Sequence, residues 1–161
     1  MNRILSSVAL AFICLFPVYG QMAWNAKYQN YFNQYKDLAI EQMLKYRIPA
    51  SITLAQGVFE SGAGYSDLAR NGNNHFGIKC HGWQGRKTYH DDDARNECFR
   101  AYDSPGQSYE DHSKFLVQSQ RYRRLFSLKI TDYKGWAHGL KACGYATNPA
   151  YAKKLIDIIE L

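Results

Sequence analysis

The sequence predicts an α+β fold: a helical body interrupted by a small β-rich lobe, with a groove where the two meet. Three observations carry this. Apolar residues recur at spacings of three and four over 28–59, as helices with one buried face require. From 71 to 102 that period is lost, and short aromatic and β-branched runs alternate with glycine and asparagine. Helical spacing returns after Ser104-Pro105-Gly106.

The first helix places Tyr28, Tyr31, Phe32, Tyr35, Ala39 and Tyr46 on one stripe. Pro49 suits the first turn of a second helix, which runs through Ile52, Ala55, Val58 and Phe59 and ends near Ser61-Gly62. Asn71-Gly72-Asn73-Asn74 reads as a loop. Three short strands follow, at 76–80, 88–90 and 98–102, with turns at Gly82, Gly85 and 93–96. Ser108 is the candidate cap of the next helix, with Asp111 three residues on. Thr131 or Asp132 caps another, which carries Trp136, Leu140 and Cys143 on one face and stops at Gly144. Asn148-Pro149 opens a last helix through Tyr151, Leu155 and Ile158. There is no internal repeat and no linker, so one domain is expected.

The first twenty residues read as a secretory signal peptide. Arg3 precedes a short apolar core over 4–16, and Pro17-Val18-Tyr19-Gly20 ends on a small residue. The core is short for a bilayer span. Residues 21–161 then form the mature domain, with no further stretch able to cross a membrane. Its location is the periplasm or the extracellular cell envelope. In such an oxidising compartment two of Cys80, Cys98 and Cys143 pair, and Cys80 with Cys98 is favoured because they flank a turn-rich segment. Cys143 is then a small core residue.

The net charge of +6 suits an acidic wall polymer, an anionic lipid or nucleic acid. Export argues against nucleic acid. Apart from Arg121-Tyr122-Arg123-Arg124, read as a solvated helix face, the basic residues are scattered. Aromatics make up 15% of the chain, and thirteen of them are tyrosine, which suggests a carbohydrate partner. Most of these rings belong to helical stripes and read as core. Trp83, beside Gly82 and Gly85, is the better candidate for an exposed stacking plane.

Glu60 is the strongest candidate for chemistry. It lies in the last turn of the second helix, beside Phe59, where the negative helix end and an apolar neighbour both disfavour ionisation. A carboxyl that keeps its proton near neutral pH serves as a general acid. Thr53, Gln56 and Gly57 share its helical face and read as a small polar surface for substrate. Glycoside hydrolysis commonly needs a second carboxylate, and Asp91-Asp92-Asp93 offers candidates; a solvated turn ranks first for that triplet, a catalytic partner close behind and a weak calcium site well behind. His75, His81 and His90 lie near it, but no HExxH or paired CxxC spacing appears, so no metal site is expected. His138 and Cys143 do not share a helix face, so they are not a thiol–imidazole pair.

Four blocks stand out in order: Ala55-Gln56-Gly57-Val58-Phe59-Glu60-Ser61-Gly62-Ala63-Gly64, Asn73-Asn74-His75-Phe76-Gly77-Ile78-Lys79, Phe99-Arg100-Ala101-Tyr102 and Gly144-Tyr145-Ala146-Thr147-Asn148-Pro149-Ala150-Tyr151-Ala152. Together they resemble one known family, the bacterial peptidoglycan endo-β-N-acetylglucosaminidases found in autolysins and in the flagellar peptidoglycan hydrolase. The resemblance runs from about Tyr31 onward. It implies a lysozyme-like fold, with a helical lobe and a β lobe flanking the groove, and Glu60 as the acid that protonates the leaving glycosidic oxygen. It makes Tyr145 the tyrosine beside that acid. The family's β-lobe glutamate has no match here, and Asp91 takes its place, with Asp92 as rival. The alternative is attack by the substrate's own acetamido oxygen. Gln56, Asn73, Phe76, Trp83 and Tyr151 complete the set as substrate contacts. The implied partner is the peptidoglycan glycan strand, bound by a monomer without a cofactor. Competing readings are a lysozyme-like muramidase or lytic transglycosylase, and a non-catalytic wall-binding module.

Overall fold

The computed structural model describes residues 25–92 and 94–161. The expected leader, with Cys14, and Asp93 lie outside the described residues. Helix α1 (Ala26–Tyr46) starts at Asn25, whose side chain accepts from the amides of Lys27 and Tyr28. Helix α2 (Ala50–Ser61) begins directly after Pro49 and ends at Gly62, whose φ of 58° is left-handed. A Cβ is strained in that conformation, which is why the helix stops on glycine.

Asn71-Gly72 belongs to a helix rather than a loop: α3 spans Asp67–Gly72. Ser66 caps it by accepting from the Ala69 amide, and Leu68-Ala69-Arg70 are good helix formers. Loop chemistry prevails only at Asn73, which closes the helix at φ 49°.

Strands β1 (Lys87–His90) and β2 (Glu97–Arg100) form one antiparallel hairpin, with Thr88 opposite Phe99 and Tyr89 opposite Cys98. The third expected strand, at 76–80, does not form. Only Lys79 bridges Phe99. The buried Asn74 side chain takes over instead: its Nδ2 donates to the carbonyls of Ile78 and Arg100, and its Oδ1 accepts from the Ile78 amide. One side chain thus supplies partners that a ladder would otherwise provide. Cys80 and Cys98 are bridged, with Cα atoms 5.5 Å apart, tying this loop to β2.

Helix α4 (Pro105–Gln118) starts four residues earlier than expected, because Pro105 suits its first position and Ser104 accepts from the Gln107 amide. Ser108 is buried inside the helix and accepts from the His75 amide. The arginine cluster lies on a 3-10 helix (Gln120–Ser127) that buries Tyr122 and Leu125. Helix α5 (Tyr133–Ala142) is capped by Asp132, and α6 (Tyr151–Ile159) closes the fold. Cys143 packs against the main core but is only half-buried, and its thiol lies 3.2 Å from Arg124 Nε.

The main core gathers Ile52, Ala55 and Val58 of α2 with Trp136 and Leu140 of α5 and Leu155 of α6. Each large apolar side chain so buried contributes about 1.5–3 kcal/mol relative to exposure. A smaller cluster of Ala39, Phe76, Ile78 and Tyr109 seats the β lobe on α1 and α4. The groove lies between these two bodies, and the tip of α2 reaches it. Among the described residues, no helix is long and apolar enough to cross a membrane.

Candidate active site

Glu60 lines two hollows that meet beside it. One, of about 240 Å³, runs toward Lys79, His81, Phe115 and Tyr145. The other, of about 320 Å³, runs toward Asp67, His90, Asp91 and Asp92. Phe76 and Gly77 lie in both, so the two form one groove with Glu60 at its waist. Taken together they fall within the range of ligand sites.

The turn that presents Glu60 is tied down. Ser61 Oγ donates to the Gly57 carbonyl at 2.5 Å and accepts from the Gly64 amide at 2.7 Å. Behind Glu60, Tyr151 Oη donates to its Oε1 at 3.0 Å, and Gln56 Nε2 donates to Tyr151 Oη at 3.0 Å. Burial pushes the Glu60 carboxyl up to about 7; the Tyr151 hydrogen bond opposes that shift, and the charge of Asp92 adds to it. Half of such a group is protonated near neutral pH, as a general acid requires.

The expected polar face of α2 is not a substrate surface. Thr53, Gln56 and Gly57 are buried, because that face packs on α1 and α6. Gly57 lies so close to the Tyr31 ring that a Cβ there would overlap its hydroxyl. Tyr151 is also fully buried, edge-on to Phe59 and stacked on Tyr145 with centroids 5.6 Å apart. Gln56 and Tyr151 therefore stand behind the acid rather than in the groove.

Tyr145 lines the hollow that runs from Glu60 toward Phe115. It is half-buried, and Phe115, Tyr122 and His112 surround its ring. Burial holds its phenol well above the usual value, so it acts as a neutral donor or acceptor. Phe76 forms the floor and stacks on the buried His112, centroids 4.0 Å apart. Asp91 and Asp92 line the groove, yet differ. Asp91 Oδ1 accepts from the Asn96 amide at 2.8 Å, shaping the hairpin turn. Asp92 lies 3.4 Å from Lys79 Nζ, and its charge reaches Glu60.

Two candidates lie elsewhere. Asn73 Nδ2 donates to the Tyr102 carbonyl and holds α3 to the hairpin. Trp83 lines a separate hollow with Tyr102, Glu110 and Asp111. Its indole N–H donates to the Arg86 carbonyl, the Arg100 guanidinium lies 5.0 Å over its ring, and Gly85 packs against it. The glycines that suggested an open stacking plane instead let the loop fold onto the indole. Phe115, Lys79 and His81 were missed. Phe115 carries a core-like helical spacing, His81 entered only as a possible metal ligand, and Lys79 stood in a resembling block without a role of its own. Among the described residues, no group of three or more His, Cys, Asp or Glu is placed to hold a metal ion.

Residues 36–161 match the family model Glucosaminidase, described as mannosyl-glycoprotein endo-beta-N-acetylglucosaminidase. The chain is similar to exo-glucosaminidase LytG of Bacillus subtilis, 34% identical over an aligned length of 128 residues, with 72% of this chain and 45% of that protein covered. It spans less than half the length of the curated relatives LytG and FlgJ that it matches. Among solved structures, a peptidoglycan hydrolase from Sphingomonas sp. A1 superimposes with a TM-score of 0.72 at 31% identity, covering 81% of this chain and 86% of that one. The glycoside hydrolase domain of Salmonella typhimurium FlgJ gives 0.70 at 27% identity, covering 83% and 86%.

Proposed function

The chain belongs to the glucosaminidase family, and on that premise we propose that it is an exported hydrolase that cuts the β-1,4 bond after N-acetylglucosamine in peptidoglycan. One observation carries the reading: Glu60 sits at the waist of the groove with its carboxyl held at about 7. The glycan lies along the groove, over Phe76, with Tyr145 beside the bond to be cut. Glu60 gives its proton to the departing sugar oxygen.

Both candidate carboxylates have a partner, Asp92 the Lys79 ammonium and Asp91 the Asn96 amide; Asp92 is the one whose charge acts on Glu60, which favours it for activating water. The basic charge favours encounter with an anionic wall. The leader over 1–20 supports delivery to the envelope.

The test is digestion of purified peptidoglycan with product analysis. Wild type is expected to leave N-acetylglucosamine at the new reducing end, and Glu60→Gln to bind the glycan without cutting it. Anhydro-muramic ends would mark a lytic transglycosylase, and muramic acid at the reducing end a muramidase. Equal clearing by both proteins would remove Glu60 from the mechanism. Asp92→Asn is expected to slow cleavage by about 10²-fold or more, with Asp91→Asn the milder of the two. Full activity in Asp92→Asn together with Asp91→Asn would favour attack by the substrate's acetamido oxygen.

A further inference from the structure

Among the described residues, one oxygen of the Glu60 carboxyl is held by a hydrogen bond. A tyrosine hydroxyl carries a single proton and accepts through its lone pairs. Gln56 Nε2 donates to Tyr151 Oη, so the Tyr151 proton is directed at Glu60 Oε1. Both residues are fully buried, and they come from different helices, α2 and α6. Among the described residues, the Tyr151 contact is the hydrogen bond that the Glu60 carboxyl makes, and it falls on Oε1. An oxygen that accepts a proton in line is a poor place for the acid's own proton. Oε2 remains for it.

We propose that Gln56 and Tyr151 are positioning residues: they fix the acid proton of Glu60 on Oε2 and stabilise the charge left on Oε1 when that proton departs. This deepens the general-acid reading and rests on it. In the step concerned, the Oε2–H bond breaks as the proton bonds to the glycosidic oxygen. The C1–O bond breaks with its electron pair staying on that oxygen; water supplies the hydroxyl to C1 and gives its other proton to Asp92, from which a proton returns to the Glu60 carboxylate through solvent. Tyr151 keeps its proton throughout; its phenol is raised far above neutrality by burial. The hydrogen bond favours the ionised carboxyl, and it already holds Glu60 below the value that burial alone would give.

The test is the pH profile of kcat/KM on soluble glycan strands for wild type, Tyr151→Phe, Gln56→Leu and Glu60→Gln. The alkaline limb reports the acid in the free enzyme. Tyr151→Phe keeps the ring that packs on Phe59 and Tyr145, so Tm is expected to change by only a few degrees. Its alkaline limb is expected to move up by about one pH unit, with kcat down about ten-fold at the optimum. Gln56→Leu is expected to move the limb in the same direction by less, and it carries the test if Tyr151→Phe does not fold. A merely structural role would lower the rate at every pH and leave the limb in place, which would overturn the proposal. A limb displaced toward acid would also overturn it, because Tyr151 would then be accepting the acid's proton. Glu60→Gln separates the two readings. If it still cleaves, the general-acid assignment fails. If it is inactive while Tyr151→Phe and Gln56→Leu match wild type, only the positioning role fails.

Discussion

Glu60 is held protonated at a cost to the fold. Its ordinary carboxyl value is 4.5, and burial raises it to about 7 in the folded chain. The folded state therefore binds the proton more tightly than the unfolded state does. The carboxyl opposes folding little below pH 4.5, progressively more up to 7, and by its full amount above that. Glu60→Gln is thus expected to raise Tm above pH 7 and to leave it nearly unchanged near pH 4, as a melting series on both proteins would read out. A Tm gain of equal size at both pH values would mean that the ionised carboxyl is not the source. The position of Glu60 in the last turn of α2 was legible because a helix stop and an apolar neighbour are local features. The sequence misplaced Gln56 and Tyr151 because their partner is a residue 95 positions away, and no periodicity reports such a contact.

At the scale of elements, α2 has no spare room. Gly57 faces the Tyr31 ring, whose hydroxyl accepts from Tyr109 Oη at 2.9 Å and lies 3.0 Å from His75 Nδ1. Gly57→Ala would push that hydroxyl out of a network joining α1, α4 and the loop before the hairpin. It gains helix propensity of about 1 kcal/mol and loses more to overpacking, typically 1–3 kcal/mol. A net loss of stability is expected in urea unfolding, together with a fall in kcat because Glu60 lies one turn on. The hairpin is secured differently. The Cys80–Cys98 bridge spans 18 residues, and a crosslink of that size is worth about 3 kcal/mol. Cys98→Ser is expected to lose about that much, and non-reducing peptide mapping of wild type should recover 80 linked to 98 with Cys143 as a free thiol. Helices α1, α2, α5 and α6 were legible because their stripes and stops are strong. Helix α3 and the missing strand were not, since the Ser66 and Asn74 side chains decide them through hydrogen bonds that composition does not reveal.

Across the whole molecule, two histidines are stored neutral. Burial lowers His75 to about 4 and His112 to about 3, against 6.5 when exposed. Here the unfolded state binds the proton more tightly, so stability is complete above 6.5 and declines as pH falls through 6.5 toward 4 and then 3. Protonation of Glu60 works the opposite way between 7 and 4.5, so the acid loss is expected to be steeper in Glu60→Gln than in wild type. His112→Leu should flatten it. Thermal melting between pH 7 and 4 measures both, and an acid slope unaltered by His112→Leu would assign the loss elsewhere. The α+β class was readable because the change of period near 71 is a property of long stretches, whereas the groove's lining comes from α2, α4, the hairpin and the turn after α5, which only folding brings together. That trough continues past the acid in both directions, over Phe76 and Gly77. If the glycan lies along it as proposed, a polymer is gripped midway along its length, without threading from a tip. Solutions of long strands should thin within the first few cuts, well before disaccharides accumulate.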